Sequence, residues 1–363
     1  MLAALCLVAS AETKEKKFVS GAELTLIGKL QDTPDRYARV DTVRYTGFTD
    51  YQRRQLNQFS AGLALVFNTD SRNIAANLKY KYRYANWNTM NISGAGVDLY
   101  IKRDGKWVYA GSSSGNAKGG PYDLVTNMAD GNKECLLYLP LFSIVDSVYI
   151  GIDADSNISA APNPFKGKVI VFGSSYTHGT STSRAGMAYP LQLQRATGLD
   201  IRALGVSGNS KLQQSYAHVL ADSEADAFVF DAFSNPVPEE IFNNFDEFVR
   251  IIREKHPKAP LIFQQTIYRE CRNFNTAADK FDAARMAAAE KVIKKAMEKD
   301  SDIYFIIPST GNDGITSVDG THPRRPRILA MDGVNQTTNR RHPRQIQHPR
   351  RPINIISQSN TTT

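Results

Sequence analysis

This chain of 363 residues lacks several sequence features that would narrow its function. It has only three cysteines, which argues against a disulfide framework, and Cys135 and Cys271 are expected to be buried thiols. No apolar run reaches the ~18 residues that a membrane helix requires, so no integral membrane span is predicted. No cluster of Cys, His or acidic residues has the spacing of a metal site, and we expect neither a metal nor another cofactor.

Net positive charge is also small outside the end of the chain. The formal net charge is +8, but residues 324–363 contain eight Arg and one Asp. The remainder is therefore close to neutral and offers no basic face for nucleic acid. Residues 324–363 have no helical or strand period and are expected to form a disordered, Arg/Pro-rich tail. Such a tail could bind anions non-specifically. A shifted reading frame is one hypothesis for its unusual composition.

The N-terminus has features of an export signal. Leu2–Val8 is apolar and is followed by Ala9-Ser10-Ala11, a pattern typical of cleavage sites in secretory signal peptides. The basic segment that usually precedes the apolar run is missing. We expect residues 1–20 to be a signal-peptide-like leader and the protein to be periplasmic or extracellular.

The first half of the chain has the pattern of an antiparallel β structure. Short segments of alternating apolar and polar residues are separated by turn residues, and helical periodicity is nearly absent. The candidate strands are 61–67, 74–84, 97–102, 107–110, 136–140 and 145–150. This spacing predicts an all-β, jelly-roll-like sandwich, which we assign to residues 21–163. Its aromatic residues indicate either core packing or a sugar-stacking face; they are Tyr80, Tyr82, Tyr84, Trp87 and Trp107.

The pattern changes after residue 163, where strands begin to alternate with helices. The strand candidates are 169–172, 201–204, 227–231, 261–264 and 303–307, and the clearest helix candidates are 238–255 and 277–299. Alternating strands and helices favour a parallel sheet with helices on both faces. We therefore expect a three-layer α/β/α domain with a five-stranded parallel sheet over residues 164–323.

A tight turn, Gly173-Ser174-Ser175, ends the first strand of this second region. Open α/β sheets display reacting groups at the carboxyl ends of their strands, so either serine is a candidate nucleophile. Far downstream, Asp319 precedes His322 by three residues in a polar loop. A serine, a histidine base and an orienting carboxylate are the components of nucleophilic acyl transfer. His178 is nearer in sequence, but we expect the turn to direct it to the wall of the site or to the surface.

Four blocks in register resemble the SGNH hydrolases, or GDSL-type esterases, over about residues 169–323. The blocks are Gly173-Ser174-Ser175, Gly205-Val206-Ser207-Gly208-Asn209, Asp231-Ala232-Phe233-Ser234-Asn235-Pro236 and Asp319-Gly320-Thr321-His322. The string GSSYTHGTSTSRAGMAYPLQLQRATG is especially similar to the branch with an N-terminal β-sandwich, which is found among bacterial polysaccharide-degrading proteins.

The resemblance implies a role for each matching residue. Ser175 matches the nucleophile, and His322 and Asp319 match the base and the acid of the triad. The oxyanion hole is implied to consist of the backbone N–H groups of Ser175 and Gly208 and the side-chain amide of Asn235. A donor of this kind typically contributes a factor of about 10²–10³ to kcat.

The chain departs from the family pattern in three places. Ser174 stands where the first block usually has Asp, and no Asp follows Asn235 in the third block. Residues 324–363 replace an amphipathic helix that relatives place after the His-Pro pair. Loss of that helix would remove buried apolar side chains worth ~1.5–3 kcal/mol each.

These features predict a serine esterase, a carboxylic ester hydrolase acting on small acyl groups. The resemblance implies acetyl esters of an oligo- or polysaccharide as substrate. The alternative is a catalytically disabled SGNH-like protein that binds carbohydrate or acts at a surface, because the missing helix would loosen the catalytic loop. The sequence leaves the acyl group, the sugar and the oligomeric state open.

Overall fold

The computed structural model describes residues 15–84, 87–115, 119–308 and 317–323. Residues 1–14 of the expected leader and the whole 324–363 tail lie outside the described residues, so both predictions stay predictions. Within the described part, no helix combines the length and the apolar character needed to cross a membrane. The same part of the chain contains no group of three or more His, Cys, Asp or Glu arranged to hold a metal ion.

The β-rich part of the chain forms two antiparallel sheets. Its strands are β1 (Lys16–Ser20), β2 (Thr25–Ile27), β3 (Ala64–Thr69), β4 (Ile74–Tyr82), β5 (Val97–Arg103), β6 (Lys106–Ser113), β7 (Tyr122–Val125), β8 (Lys133–Tyr138), β9 (Ile144–Asp153) and β10 (Ile158–Ala160). One sheet has the order β1-β9-β4-β7 and the other β10-β3-β8-β5-β6, with β2 also paired to β3. Both sheets contribute to one apolar core, for example through Leu65 and Ile150. The predicted antiparallel sandwich is confirmed.

Two helices interrupt this β-rich part, where the sequence indicated almost none. They are α1 (Asp50–Gln58) and α2 (Asn91–Gly94). Helix α1 begins at a capping box, in which Thr49 and Gln52 exchange side-chain and backbone hydrogen bonds. Its Leu56 packs into the core of the second region, together with residues that precede it in the chain: Leu30, Val40, Tyr45 and Phe48. The domain limits 21–163 and 164–323 stay a prediction.

The second region is built on a parallel sheet of five strands. They are β11 (Lys166–Gly173), β12 (Leu199–Gly205), β13 (Ala227–Asp231), β14 (Leu261–Gln264) and β15 (Ile303–Ile306). The sheet order is β12-β11-β13-β14-β15, so the chain leaves β11 to build on both of its sides. Doubly wound sheets bind ligands where the strand order reverses in this way, at the carboxyl ends of the strands.

Helices cover both faces of the parallel sheet. They are α3 (Ser175–His178), α4 (Tyr189–Thr197), α5 (Gln214–Ala221), α6 (Pro238–Lys255) and α7 (Thr276–Lys299). Helix α6 has Pro at its first turn and buries a stripe with helical spacing that includes Ile241, Phe245 and Phe248. The predicted three-layer α/β/α fold is therefore confirmed.

The two regions meet at a polar contact near the start of α4. Arg184 places Nε 3.0 Å from Oδ2 of the fully buried Asp98 on β5. The backbone N–H of Gly186 donates to the same carboxylate at 2.9 Å, and the Arg195 guanidinium lies 4.0 Å from the centroid of the Tyr100 ring. Because these groups come from both regions, they fix the sandwich beside the carboxyl end of β11.

The two described cysteines differ in their surroundings. Cys135 is buried on β8, as expected, and both thiols are free. Cys271 is exposed, so its predicted burial is wrong. It lies in a 3₁₀ turn, Glu270–Arg272, in the connection between β14 and α7, which runs over the surface.

Candidate active site

The turn after β11 places Ser175 at the reversal point of the sheet. Ser174 caps α3, because its Oγ accepts a hydrogen bond from the Tyr176 N–H at 3.2 Å, and Ser175 is the first helical residue. Glycine is required just before them. A Cβ at Gly173 would lie 2.1 Å from Oγ1 of Thr177, closer than side-chain atoms can approach. The turn can therefore form only around an unsubstituted Cα.

Three of the predicted site residues come together at this turn. His322 has Nε2 2.8 Å from Oγ of Ser175 and Nδ1 2.7 Å from Oδ2 of Asp319. The other carboxylate oxygen, Oδ1, accepts the backbone N–H groups of Thr321 and His322 at 3.0 and 2.7 Å. With Nδ1–H donating to Asp319, Nε2 is left as an acceptor for the serine proton. We call Ser175, His322 and Asp319 the triad cluster.

The surroundings of Asp319 keep its carboxyl group ionised. Burial by itself would raise the pKa of Asp319. The hydrogen bonds from His322, through its side chain and backbone, and from Asn88 outweigh burial and lower this pKa from 3.8 to about 2. Asp319 is thus a permanent anion at neutral pH, able to orient His322 and to stabilise it as an imidazolium.

An aromatic side chain and an arginine adjoin the histidine. The ring of Tyr176 lies 5.7 Å from the imidazole of His322, centroid to centroid. Its hydroxyl accepts a hydrogen bond from Nε of Arg269 at 3.1 Å. Tyr176 is buried, so it forms a fixed wall beside the base.

The neighbouring serine has a different partner. Ser174 is fully buried, and its Oγ donates to Oδ2 of Asp231 at 2.7 Å. Its backbone N–H donates to the same oxygen at 3.1 Å. The turn alone made either serine a candidate nucleophile and the family resemblance favoured Ser175; of the two, it is Ser175 whose hydroxyl contacts the imidazole.

Asp231 is the centre of a second polar cluster beneath the turn. Its Oδ2 also accepts from Oγ1 of Thr177 at 3.0 Å, and its Oδ1 accepts from Oγ of Ser234 at 3.0 Å. Burial raises the pKa of Asp231 above 3.8, while these hydrogen bonds act in the opposite direction. We call Asp231, Ser174, Thr177 and Ser234 the buried carboxylate cluster. The sequence placed Asp231 in a block but assigned it no role.

The remaining predicted site residues follow strands adjacent to β11. Gly208 lies in the turn after β12 with φ +73°, a left-handed conformation that favours glycine. A Cβ there would meet no atom within 4 Å, so the need for glycine is conformational rather than steric. Asn235 follows β13, and its Oδ1 accepts the Ser210 N–H at 3.2 Å, which fixes the orientation of its amide.

Three N–H donors that follow β11, β12 and β13 have no hydrogen-bond acceptor among the described residues. They are the backbone N–H groups of Ser175 and Gly208 and the Nδ2 group of Asn235. Their residues follow β11, β12 and β13, which are neighbours in the sheet. The carboxyl ends of these strands therefore carry both the Ser175 hydroxyl and unsatisfied N–H donors.

Sequence reasoning missed Asn88, which comes from the β-rich region. Its Nδ2 donates to Oδ2 of Asp319 at 3.0 Å. Nothing in the local sequence marks this residue, because a polar turn between two strands is an ordinary surface feature. Only the packing of the two regions brings it to the triad cluster.

His178 was expected at the wall of the site or at the surface, and the surface alternative is wrong. Its side chain is buried, Nε2 lies 2.8 Å from the Leu141 carbonyl oxygen, and its ring stacks on Phe142 at 4.1 Å. Burial, with a contribution from Arg39, lowers the pKa of His178 well below 6.5. It makes its contacts with the β-rich region and is not hydrogen-bonded to Ser175.

The aromatic residues of the β-rich region do not form one face. Tyr80 packs against the sandwich core, Tyr84 stacks on Phe142, and Trp107 is half-buried near Phe165. By contrast, 47% of Tyr82 and 81% of Trp87 is exposed. Core packing therefore accounts for three of these residues, and Trp87 is exposed directly beside Asn88.

Both regions of the chain are similar to known protein families. Residues 166–329 match a GDSL-like lipase/acylhydrolase family, and residues 17–158 match the GxDLY family, which is the N-terminus of SGNH hydrolase-type esterases. A crystal structure from Bacteroides ovatus, described as a GDSL-like lipase, is 40% identical, covers 85% of this chain and 92% of its own, and superposes with a TM-score of 0.82. A search of curated proteins found no significant match.

More distant structures share the fold alone. A salicylyl-acyltransferase from a tetracycline biosynthetic pathway is 22% identical, covering 86% of this chain and 93% of its own with a TM-score of 0.64. A family two carbohydrate esterase from Cellvibrio japonicus is 13% identical, covering 83% of this chain and 92% of its own with a TM-score of 0.51. A family two carbohydrate esterase from Clostridium thermocellum, in complex with cellohexaose, is 15% identical and covers 73% of this chain and 87% of its own, with a TM-score of 0.51.

Proposed function

Because this chain belongs to the GDSL-like lipase/acylhydrolase family, whose members are also called SGNH hydrolases, we propose that it is a serine esterase acting on small acyl esters. The observation that carries the proposal is the continuous hydrogen-bonded path from Ser175 Oγ through His322 to Asp319, at 2.8 and 2.7 Å. A serine hydroxyl is a poor nucleophile at neutral pH, and such a path supplies the base that it needs.

In the proposed reaction, Ser175 Oγ attacks the ester carbonyl carbon while His322 Nε2 takes its proton. The carbonyl oxygen becomes an oxyanion, which the N–H groups of Ser175 and Gly208 and Nδ2 of Asn235 stabilise. These donors are preorganised, and preorganised donors stabilise a developing charge more effectively than mobile water. The imidazolium, held by Asp319, then protonates the departing alcohol oxygen and leaves an acyl-enzyme.

Hydrolysis of the acyl-enzyme repeats these steps with water. His322 Nε2 removes a proton from the water, whose oxygen attacks the acyl carbon. The same donors hold the second oxyanion. Return of the proton to Ser175 Oγ releases the carboxylic acid and restores the enzyme.

For the substrate, we propose an acetyl ester on an oligo- or polysaccharide. Trp87 is 81% exposed and directly precedes Asn88, which contacts the triad cluster. An exposed indole next in the chain to a residue that bonds the triad acid suits contact with the apolar face of a sugar ring. The fold is also that of family two carbohydrate esterases, one of which is known in complex with cellohexaose.

We also propose that the protein is exported, on the basis of its apolar N-terminal segment and the Ala9-Ser10-Ala11 pattern. N-terminal sequencing of the protein from periplasmic and extracellular fractions tests this. A mature chain that begins at Glu12 is the expected result, and an intact N-terminus recovered in the cytoplasm would contradict it.

The experiment that tests the function measures acetate release from an aryl acetate and from acetylated xylan. Ser175→Ala should lower kcat by at least about 10⁴-fold on both substrates, because the nucleophile is lost. Ser174→Ala is the matched control. It removes an adjacent hydroxyl that bonds Asp231 rather than His322, so it should retain turnover while lowering the free energy of unfolding by about 1–3 kcal/mol.

The outcomes separate the esterase from a disabled hydrolase. Turnover that disappears in Ser175→Ala but persists in Ser174→Ala supports the esterase. Turnover on the aryl acetate alone would support the esterase and contradict the carbohydrate substrate. A wild-type protein that unfolds cooperatively but releases no acetate would favour the catalytically disabled, carbohydrate-binding alternative.

A further inference from the structure

The Asp319 carboxylate accepts hydrogen bonds from two parts of the chain. The backbone N–H groups of Thr321 and His322 bond Oδ1, and the His322 ring bonds Oδ2, so three donors belong to its own loop. The fourth donor, Asn88, is 231 residues away in sequence and bonds Oδ2. Within the described part of the chain, Asn88 is the only side chain from outside this loop that bonds the carboxylate.

The loop itself is attached to the α/β region at other points. The Cys271 N–H donates to the carbonyl oxygen of Gly320 at 2.9 Å, and the Ser317 hydroxyl donates to Glu270. These contacts hold the backbone of the loop but do not reach the carboxylate. The contact that fixes the position of Oδ2 against its histidine partner therefore comes from Asn88.

Asn88 is in turn held by the loop that follows the nucleophile helix. Its carbonyl oxygen accepts a hydrogen bond from Oγ of Ser181 at 2.7 Å, and Oγ1 of Thr89 accepts the Ser181 N–H at 3.4 Å. A second link joins the hydroxyls of Ser93 and Thr182 at 3.0 Å. The turn that carries Asn88 is thus joined to the chain just after Ser175 and, through Asn88, to the triad acid.

We propose that Asn88 is a positioning residue of the triad, through which the β-rich region aligns Asp319 with His322 and Ser175. This inference rests on the proposed function. A side-chain amide suits the role because it donates to a carboxylate without exchanging a proton with it.

The test compares Asn88→Ala with Asn73→Ala. Asn73 makes an equivalent bond in the same region, from Nδ2 to Oδ1 of Asp153 at 2.7 Å, and directly precedes β4, whereas Asn88 follows that strand. Asn88→Ala should lower kcat about 10-fold while KM changes less than about 2-fold, because a misaligned triad affects the chemical step rather than substrate binding. Asn73→Ala should leave kcat unchanged. Equal kcat values for the wild type and Asn88→Ala would overturn the proposal.

A pH profile separates positioning from general support of the loop. Asn88→Asp keeps the shape of the side chain but places a second carboxylate beside Asp319, and one member of such a pair has a strongly raised pKa. At neutral and higher pH the introduced carboxylate and Asp319 are both charged and repel each other. The kcat of Asn88→Asp should therefore fall below that of Asn88→Ala. As the pH falls and the introduced carboxyl is protonated, it can donate again, and activity relative to Asn88→Ala should recover. A constant ratio of the two variants across pH would contradict positioning.

A readout without turnover keeps this inference distinct from the proposed function. The downfield proton resonance of a histidine Nδ1–H that bonds a carboxylate reports the His322–Asp319 bond directly. It should be present in the wild type and in Ser175→Ala, and broadened or shifted in Asn88→Ala. If acetate release fails but this change occurs, the esterase proposal is wrong and the positioning role stands. An unaltered resonance in Asn88→Ala overturns the positioning role whatever the activity.

Discussion

The turn after β11 carries two adjacent serines, and each belongs to a different polar cluster. In the buried carboxylate cluster, Ser174 donates to Asp231, and the described residues place no cation or imidazole on that carboxylate. In the triad cluster, Ser175 bonds an imidazole that bonds Asp319. Serine and aspartate therefore occur in both clusters, but with different hydrogen-bond partners.

The difference shows how surroundings assign roles to identical residues. Burial raises the pKa of Asp231, whose donors are hydroxyls and one backbone N–H. The pKa of Asp319 is lowered to about 2, because His322 and Asn88 bond its charged form. A carboxylate surrounded by hydroxyls stabilises a turn, whereas one bonded to an imidazole can support proton transfer.

The largest expected difference lies between the two carboxylates. Asp319→Asn should lower kcat about 10⁴-fold, because the amide cannot hold the imidazole in the required tautomer or stabilise its charged form. Asp231→Asn should change kcat less than about 10-fold, since it does not contact the reacting atoms. Both are measured as initial rates of acetate release, with the unfolding midpoint as a check on folding. Similar losses of kcat in both variants would show that the two carboxylates do not differ in their roles.

A second test concerns Ser234 and Asn235, which are adjacent in the chain. Ser234 belongs to the buried carboxylate cluster, whereas Asn235 is a proposed donor to the oxyanion. Asn235→Ala removes a proposed oxyanion donor and should lower kcat about 10²–10³-fold, with a loss of stability of about 1 kcal/mol because the Ser210 N–H loses its acceptor. Ser234→Ala removes a donor to Oδ1 of Asp231 and should lower the free energy of unfolding by about 1–3 kcal/mol while kcat is nearly kept. An unchanged kcat in Asn235→Ala would remove that residue from the oxyanion hole.

The smallest expected effect is the pH dependence of stability, which should have opposite signs at the two carboxylates. The pKa of Asp319 is lowered, so its charged form stabilises the fold above pH 3.8 and this contribution is lost as the pH falls through about 2. The pKa of Asp231 is raised, so its contribution is present below pH 3.8 and is lost as the pH rises through its folded value.

Urea unfolding at a series of pH values measures both contributions. Relative to the wild type, Asp319→Asn should be least stable near neutral pH and approach the wild type near pH 2. Asp231→Asn should instead gain stability relative to the wild type as the pH rises above 3.8. Parallel curves for the two variants would show that the clusters do not differ in ionisation.

Much of the fold was predictable from local pattern. The strand expected at 97–102 is observed as Val97–Arg103, and the helix expected at 238–255 has those limits in the structure. Helix α1 was missed because most of its residues are polar, so an apolar period is hard to recognise. Its burial of Leu56 becomes apparent only once the parallel sheet is in place.

Prediction of the site was uneven for a related reason. Ser175, Asp319 and His322 stand in blocks whose spacing marks them, and the structure joins their side chains. Asn88 has no such context, because its partner is 231 residues away and belongs to the other region. Long-range pairs of this kind depend on how two cores pack, which local periodicity does not encode.

By itself, the sequence determined the two patterns of periodicity and the order of the polar blocks after the strands. It therefore predicted a three-layer α/β/α fold with a serine, a histidine and an aspartate near one sheet edge. Tertiary structure decided which of two adjacent serines contacts the imidazole, gave Asp231 its buried cluster of hydroxyl donors, and brought Asn88 to the Asp319 carboxylate. The reason is physical: residue type fixes what a group can donate or accept, whereas burial and the partner supplied by distant chain fix its charge and orientation.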